Sequence, residues 1–465
     1  MNYSRRQLLT SSACGFGGLA LGDLLRQEGF AANSLSARKP HYRAAAKRVI
    51  FLFMQGGPSQ MDMFDFKPAL ARFHGGVLPF SLPDSEATVG LDNTRLLGPV
   101  TSFGRQGQSG LQMTDLLPEL AQHADDLCVL RGMKSDSPNH PVATMMLHTG
   151  TTNQIWPSLG AWVSYGLGTE NDQLPSYLTI LPVEGARNYG SAFLPAIHQG
   201  TPIQEVGITA GKLPIRHLKD AEIPNPLKRR QLDFLQSINR EQLDRLGEDQ
   251  KMEGVIESME LAFRMQMEAP KLVDFSGETK TTLDLYGIDQ TPTNQMGRQC
   301  LLARRFAEAG VRFIQVGMGG WDHHGQIRSA LPNQCAAADK PIAGLLADLK
   351  NRGLLAETLV VWAGEFGRTP HSQDLGGSGS GVGREHNPHG FTIWLAGGGV
   401  KGGMTYGETD DFGYRVVQGK VHIHDLHATI LHLLGLDHKR LTYHQTGRDF
   451  RLTDVHGRVC HEILI

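Results

Sequence analysis

Trp321-Asp322-His323-His324-Gly325 sets a carboxylate beside two imidazoles, directly after an apolar, strand-like run. Two further blocks repeat the theme, Gly364-Glu365-Phe366-Gly367-Arg368 and Gly383-Arg384-Glu385-His386-Asn387-Pro388-His389-Gly390. Each is polar, bounded by glycine and adjacent to an apolar run. Carboxylate oxygens and imidazole nitrogens at strand ends are a donor set for a divalent cation, so these blocks point to a hydrolase-like site. Asp322 and His324 are the leading ligand candidates. In an extended chain, side chains two apart share a side, which leaves His323 facing away or behind the ligands. Glu365 should stand at the carboxyl edge of a sheet; its competing role is an ion pair with Arg368. His386 is preferred over His389 as a further ligand.

Two more places bear on the chemistry. Asp62 lies just past the turn Gln55-Gly56-Gly57-Pro58-Ser59 that ends the first apolar run, and is a ligand candidate whose rival role is capping a helix. Asp65 reads as structural. In Ser137-Pro138-Asn139-His140-Pro141-Val142-Ala143-Thr144, Thr144 falls one helical turn beyond His140, on the same face. A hydroxyl beside an imidazole can be activated by proton removal, and His140 could itself be a ligand or a general acid/base. The ordinary alternative is a helix threonine bonding its own backbone.

These residues need a scaffold that brings strand ends together. Apolar runs at Val49–Met54, Leu127–Leu130, Tyr177–Leu181, Val311–Val316, Leu359–Ala363 and Phe391–Ala396 read as buried strands. Helical patterns lie between several of them, at 297–310 and 336–352, and another opens at His422 and ends at Gly435. The alternation predicts an α/β fold with a mainly parallel central sheet flanked by helices. Ligands in such sheets sit at the carboxyl ends of strands, where the Asp/His blocks fall. Residues 226–270 are charged and helical in pattern, with Leu232, Leu235, Ile238, Leu243 and Leu246 at helical spacing and a break near Gly247. They read as an amphipathic insertion covering the core, within a single domain over 45–465. The glycine-rich run 376–383 lacks the Lys-Ser/Thr ending of a phosphate-binding P-loop and reads as a flap beside His386.

The 465 residues carry a formal net charge of −2, which gives no electrostatic reason to expect nucleic acid or an anionic membrane as partner. Five cysteines without a Cys-x-x-Cys pair support neither a zinc ribbon nor a thioredoxin-like site. One disulfide is open to them, as are buried free thiols. Ser4-Arg5-Arg6-Gln7-Leu8-Leu9, followed by a weakly apolar stretch, is similar to a twin-arginine export signal over residues 1–32. That stretch is too short to span a membrane, so the mature chain is expected in the periplasm or cell envelope with no transmembrane helix.

Val49–Pro68, Gly320–Gly325, Gly364–Pro370, Arg384–Gly399 and the ending His424–Gly435 occur together and in order. In these blocks the chain closely resembles the secreted bacterial family called domain of unknown function 1501, sulfatase-like proteins of planctomycete-type bacteria. That family looks like a distant branch of the alkaline phosphatase and sulfatase superfamily. The resemblance implies an alkaline phosphatase-like sheet flanked by helices and one or two divalent metals (zinc, calcium or manganese) at strand ends. It also implies hydrolysis of phosphate or sulfate esters, on a small molecule or a polysaccharide, with a Ser, Thr or formylglycine nucleophile. The chain departs from that pattern in four places. The nucleophile position falls at His140, no Cys-x-Pro-x-Arg occurs, and an expected Asp-His pair is Glu365-Phe366. Gln55 stands where the first strand should end in an acid, so Asp62 or Asp65 would have to substitute. The ligand set carried forward is Asp62, Asp322, His324, Glu365 and His386, with His140 and Thr144 near the attacked atom. The alternative is a catalytically degenerate protein that binds a glycan or a partner in the cell envelope.

Overall fold

The computed structural model describes residues 35–80, 95–182, 185–204, 225–246, 250–374 and 382–465. The export signal, the break near Gly247 and most of the glycine-rich flap lie outside the described residues.

Among the described residues, the central sheet has nine strands. They are β1 (Arg48–Met54), β2 (Leu127–Lys134), β3 (Tyr177–Ile180), β4 (Thr201–Ile203), β5 (Phe313–Met318), β6 (Thr358–Ala363), β7 (Phe391–Ala396), β8 (Met404–Tyr406) and β9 (Val421–His422). Their order is β8-β2-β7-β6-β1-β5-β3-β4, with β9 also paired to β2. β1 lies between β5 and β6, parallel to both. β7 runs antiparallel to its two neighbours, β2 and β6, and the remaining pairings are parallel. All six apolar runs of the sequence form strands of this sheet, and the fold is α/β with a mainly parallel sheet.

β1 is buried along its whole length, which is why its sequence is continuously apolar rather than alternating. Its side chains still divide between the two faces. Ile50, Leu52 and Met54 join one core cluster with helices α5 (Asn294–Glu308) and α6 (Ile327–Asn351). Val49, Phe51 and Phe53 join the other with α1 (His140–Thr149), α2 (Leu159–Leu167) and α7 (Ile423–Leu433). Truncating one of these side chains to alanine would cost ~2–5 kcal/mol.

The insertion forms two helices, α3 (Asn225–Leu246) and α4 (Gln250–Val273). Arg229 pairs with Glu260 and the Gln236 amide donates to Ile256 O, so the two run antiparallel. The expectation that both cover the core needs correction. Leu261, Met265, Ala269 and Val273 of α4 are buried, whereas Leu235 and Ile238 of α3 are exposed. α4 stands between α3 and the domain, so the apolar face of α3 has less to pack on than its spacing suggested. No described helix is long and apolar enough to cross a membrane. Cys128, Cys300, Cys335 and Cys460 are buried free thiols.

Candidate metal centre

Three strand ends and one loop converge. β5 leads through Gly319-Gly320 into Trp321–His324, β6 leads through Gly364 into Glu365, and the chain after β2 turns at Ser135–Asn139 into α1, which starts at His140. Asn139 caps that helix, its side chain accepting from the Val142 N–H. His386–Asn387 pairs antiparallel with Gly367–Arg368 and so hangs over the end of β6.

Two glycines let the segments close up. A Cβ on Gly56, whose φ is +117°, would lie 2.4 Å from the Asp322 backbone nitrogen, and one on Gly383 would lie 2.2 Å from the His324 carbonyl carbon. Only glycine fits where backbone approaches backbone this closely. Gly56 and Gly383 therefore fix the Asp322–His324 loop from both sides.

His140, Asp322, His324 and His386 each offer one ligand atom, and these atoms lie within 4.8 Å of one another. Asp322 Oδ1 is 2.9 Å from His324 Nε2 and 3.2 Å from His386 Nε2. His140 Nε2 is 3.3 Å from Asp322 Oδ2. The His324 and His386 Nε2 atoms are 2.8 Å apart.

The outer ring nitrogens explain the orientation. His140 Nδ1 donates to Glu365 Oε1 at 2.6 Å, His324 Nδ1 to Gln373 Oε1 at 2.5 Å, and His386 Nδ1 to the Pro138 carbonyl at 2.7 Å. Each acceptor holds a proton on Nδ1, so Nε2 is the nitrogen that each ring turns inward and that a cation would claim in place of a proton. The Gln373 orientation is fixed in turn, because its amide nitrogen donates to Glu365's counterpart on the loop, Glu385, at 2.7 Å.

This arrangement fits a divalent cation. The His140 Nε2 is buried, and the Asp322 carboxylate lies 3.3 Å from it. Two neutral Nε2 lone pairs cannot face each other at 2.8 Å without a proton or a cation between them. Tetrahedral zinc with bonds of about 2.0–2.1 Å places its ligand atoms roughly 3.3 Å apart, close to the separations found here.

The electrostatics agree. Burial alone would lower the His140 pKa, but hydrogen bonds to Asp322 and Glu365 outweigh it and raise it to about 9. Burial opposes the Asp322 charge, yet the three imidazoles and Arg368 hold its pKa far below the usual carboxylate range. His324 is raised by its bond to Asp322, and His386 is lowered by burial. A proton on His140 supplies part of the positive charge that the surrounding carboxylates call for.

The other expected residues stand differently. Glu365 is fully buried behind His140, where it also accepts the Gly56 N–H at 2.9 Å. It is not one of the four clustered donors; it orients one of them. Asp62 is fully buried and does not join the cluster: its oxygens meet Arg384 at 2.7 and 3.1 Å, Ser59 Oγ at 2.6 Å and the Val100 N–H at 3.0 Å. With both oxygens engaged and Arg384 beside it, Asp62 has no reason to bind a cation. Asp65 is ion-paired with Lys67 at 3.0 Å. Thr144 is completely buried one turn along α1, and its hydroxyl makes no hydrogen bond, so an ester arriving from solvent does not meet it. His323 is buried, and neither it nor His389 is one of the four donors. Arg368 pairs with Asp322 Oδ1 at 2.5 Å rather than with Glu365. Gln373 and the Pro138 carbonyl have no signal in the sequence; Glu385 had one, its place beside His386.

Solved structures similar to this chain include Ps i-CgsB in complex with k-i-k-neocarrahexaose, 10% identical over 84% of this chain and 72% of that chain, with a TM-score of 0.38. The PsFucS1 sulfatase from Pseudoalteromonas sp. is 15% identical over 88% and 72%, with a TM-score of 0.32. The alkaline phosphatase from the Antarctic bacterium TAB5 is 10% identical over 84% and 98%, with a TM-score of 0.32. No curated protein matches the sequence. Residues 46–464 match a family described as "Protein of unknown function (DUF1501)".

Proposed function

The chain belongs to the DUF1501 family, and on that premise we propose that it is an exported, metal-assisted hydrolase of phosphate or sulfate esters, including esters carried on polysaccharides. The observation that carries this reading is the convergence of His140, Asp322, His324 and His386, one ligand atom from each lying within 4.8 Å of the others. Three imidazoles and one carboxylate suit zinc or manganese better than calcium, which takes oxygen ligands. A divalent ion there supplies Lewis acidity at the ester and lowers the pKa of water.

The protein's own groups divide the remaining work. Glu365, Gln373 and the Pro138 carbonyl hold the three rings in register. The Phe366 ring, 4.8 Å from His140 and 4.5 Å from His386 between centroids, closes the back of the cluster to water. Asp322 is the exposed member, its side chain 43% accessible, so an ester approaches from its side. Water is the attacking group in this reading, because the hydroxyl expected near the attacked atom, that of Thr144, is completely buried.

One observation favours the alternative, a degenerate glycan- or partner-binding protein of the cell envelope. The Arg368 guanidinium already neutralises Asp322, which weakens the pull of that carboxylate on a cation. Metal analysis of the purified chain, with activity on nitrophenyl esters, separates the two. The hydrolase reading expects about one metal per chain and turnover, both lost in Asp322→Ala and His324→Ala. Bound metal without turnover favours the degenerate protein. No bound metal, with Asp322→Ala unchanged in fold and activity, overturns the metal centre.

A further inference from the structure

Two arginines lie in the sequence blocks that carry the cluster, Arg368 and Arg384, and both are turned inward. Arg368 is fully buried. Its Nε donates to Gly57 O at 2.9 Å, one Nη to Arg384 O at 2.9 Å, and the other to Gly56 O and to Asp322. Arg384 is equally buried, and its guanidinium faces Asp62 and the carbonyls of Leu97 and Gly98. Among these bonds Arg384 donates to none of the four clustered side chains, and the N–H that Arg368 directs at Asp322 is taken up by that carboxylate. The sequence of the neighbouring run 376–383 contains no Lys or Arg.

The carboxylates are more numerous. Asp322 and Glu365 bracket His140, and Glu385 Oε1 lies 3.7 Å from His324 Nδ1 and 3.6 Å from His386 Nδ1. Among the described residues, the ion pairs and hydrogen bonds of these three acids include one Lys or Arg partner, Arg368. Three carboxylates against one guanidinium leave two formal negative charges, the charge that one divalent cation balances. A cation-loaded site is therefore near neutral and offers no further positive charge for an anion.

We propose that this site selects singly charged esters, phosphodiesters or sulfate monoesters, over doubly charged phosphate monoesters, an inference that rests on the metal-centre reading above. A phosphate monoester carries close to two negative charges above pH 7. Only one of its charges can be set against the cation without the other meeting Asp322 and Glu385 unscreened in a half-buried setting. A phosphodiester or a sulfate monoester brings one charge and avoids that repulsion.

The test uses the full chain loaded with Zn²⁺ at pH 8 and low ionic strength. Calorimetric titration compares dimethyl phosphate and methyl sulfate with methyl phosphate, and turnover compares bis(4-nitrophenyl) phosphate and 4-nitrophenyl sulfate with 4-nitrophenyl phosphate. The expected result is at least tenfold preference for the singly charged member of each comparison. The two singly charged arms tell a phosphodiester from a sulfate ester. Glu385→Gln, which keeps the side-chain shape and removes one charge, should narrow the preference severalfold. The expected binding order without any turnover upholds the charge selection while the hydrolase reading fails. Methyl phosphate binding as tightly as the singly charged ligands, or no binding of any of the three, overturns the inference.

Discussion

Glu365 Oε1 lies 2.6 Å from His140 Nδ1, joining the end of β6 to the first residue of α1, and the same carboxylate accepts the Gly56 N–H at the end of β1. One buried side chain thus orients an imidazole and ties two strand ends to the start of a helix. Carboxylate partners of this kind raise ligand basicity, and their loss typically costs about 10–100-fold in metal affinity. Glu365→Gln keeps the shape and removes the charge, so zinc affinity should fall by about that factor while the fold persists. Competition with a chromophoric chelator measures it. Unchanged affinity would reduce Glu365 to a structural tie.

Asp62 makes the opposite prediction. It forms a fully buried ion pair with Arg384, and breaking such a pair by removing one partner costs ~3–5 kcal/mol. Asp62→Ala should therefore lower the urea midpoint strongly, yet the folded fraction should still bind metal in the wild-type ratio. Metal lost from a variant of unchanged stability would restore Asp62 to the ligand set.

Thr144 separates a nucleophile from a packing residue. Its hydroxyl is buried without a hydrogen bond, so Thr144→Val removes an unsatisfied polar atom at nearly constant volume. Stability should hold or rise by ~1–2 kcal/mol, and metal-dependent turnover should stay within twofold. A hundredfold loss of turnover in a folded, metal-loaded variant would make Thr144 the attacking group.

The parts of the site legible in the sequence were those carried by a single strand end. The run before Trp321 and the run before Glu365 announce buried strands, and parallel strands deliver their following residues to one edge, so Asp322, His324 and Glu365 could be placed near one another. The partner of each side chain was not legible. Asp62 and Glu365 are both acids beyond a strand end, and what distinguishes them is an arginine 322 positions away for one and an imidazole 225 positions away for the other. Gln373 and the Pro138 carbonyl hold rings 49 and 248 positions away, and a backbone carbonyl leaves no mark in residue type. Strands as short as Thr201–Ile203 and Val421–His422 are held by their neighbours, not by an apolar run of their own, and so gave no periodic signal.

Acid should unfold the metal-free protein through histidines remote from the cluster. His148 donates Nδ1–H to Thr144 O and stands edge-on to Phe53, while His427 donates Nε2–H to Leu147 O. The second nitrogen of each is buried without a partner, so a second proton would add a donor with no acceptor. Burial pushes the His148 pKa down to about 4 and that of His427 to about 3. Both values lie below the unfolded value near 6.5, so the unfolded chain binds more protons and stability falls as pH falls from 6.5 towards 4. Each ring contributes ~1.4 kcal/mol per pH unit across that window. His140 adds nothing there: with a folded pKa of about 9 it is charged in both states, and its contribution is lost only as pH rises through that value. Urea unfolding at pH 7, 6 and 5 should show a proton uptake on unfolding that grows as pH falls and, from these two rings, approaches about two at pH 5, of which His148→Leu should remove about one. A stability that stays flat down to pH 5 would mean that these two rings find hydrogen-bond partners for their second protons in the folded protein.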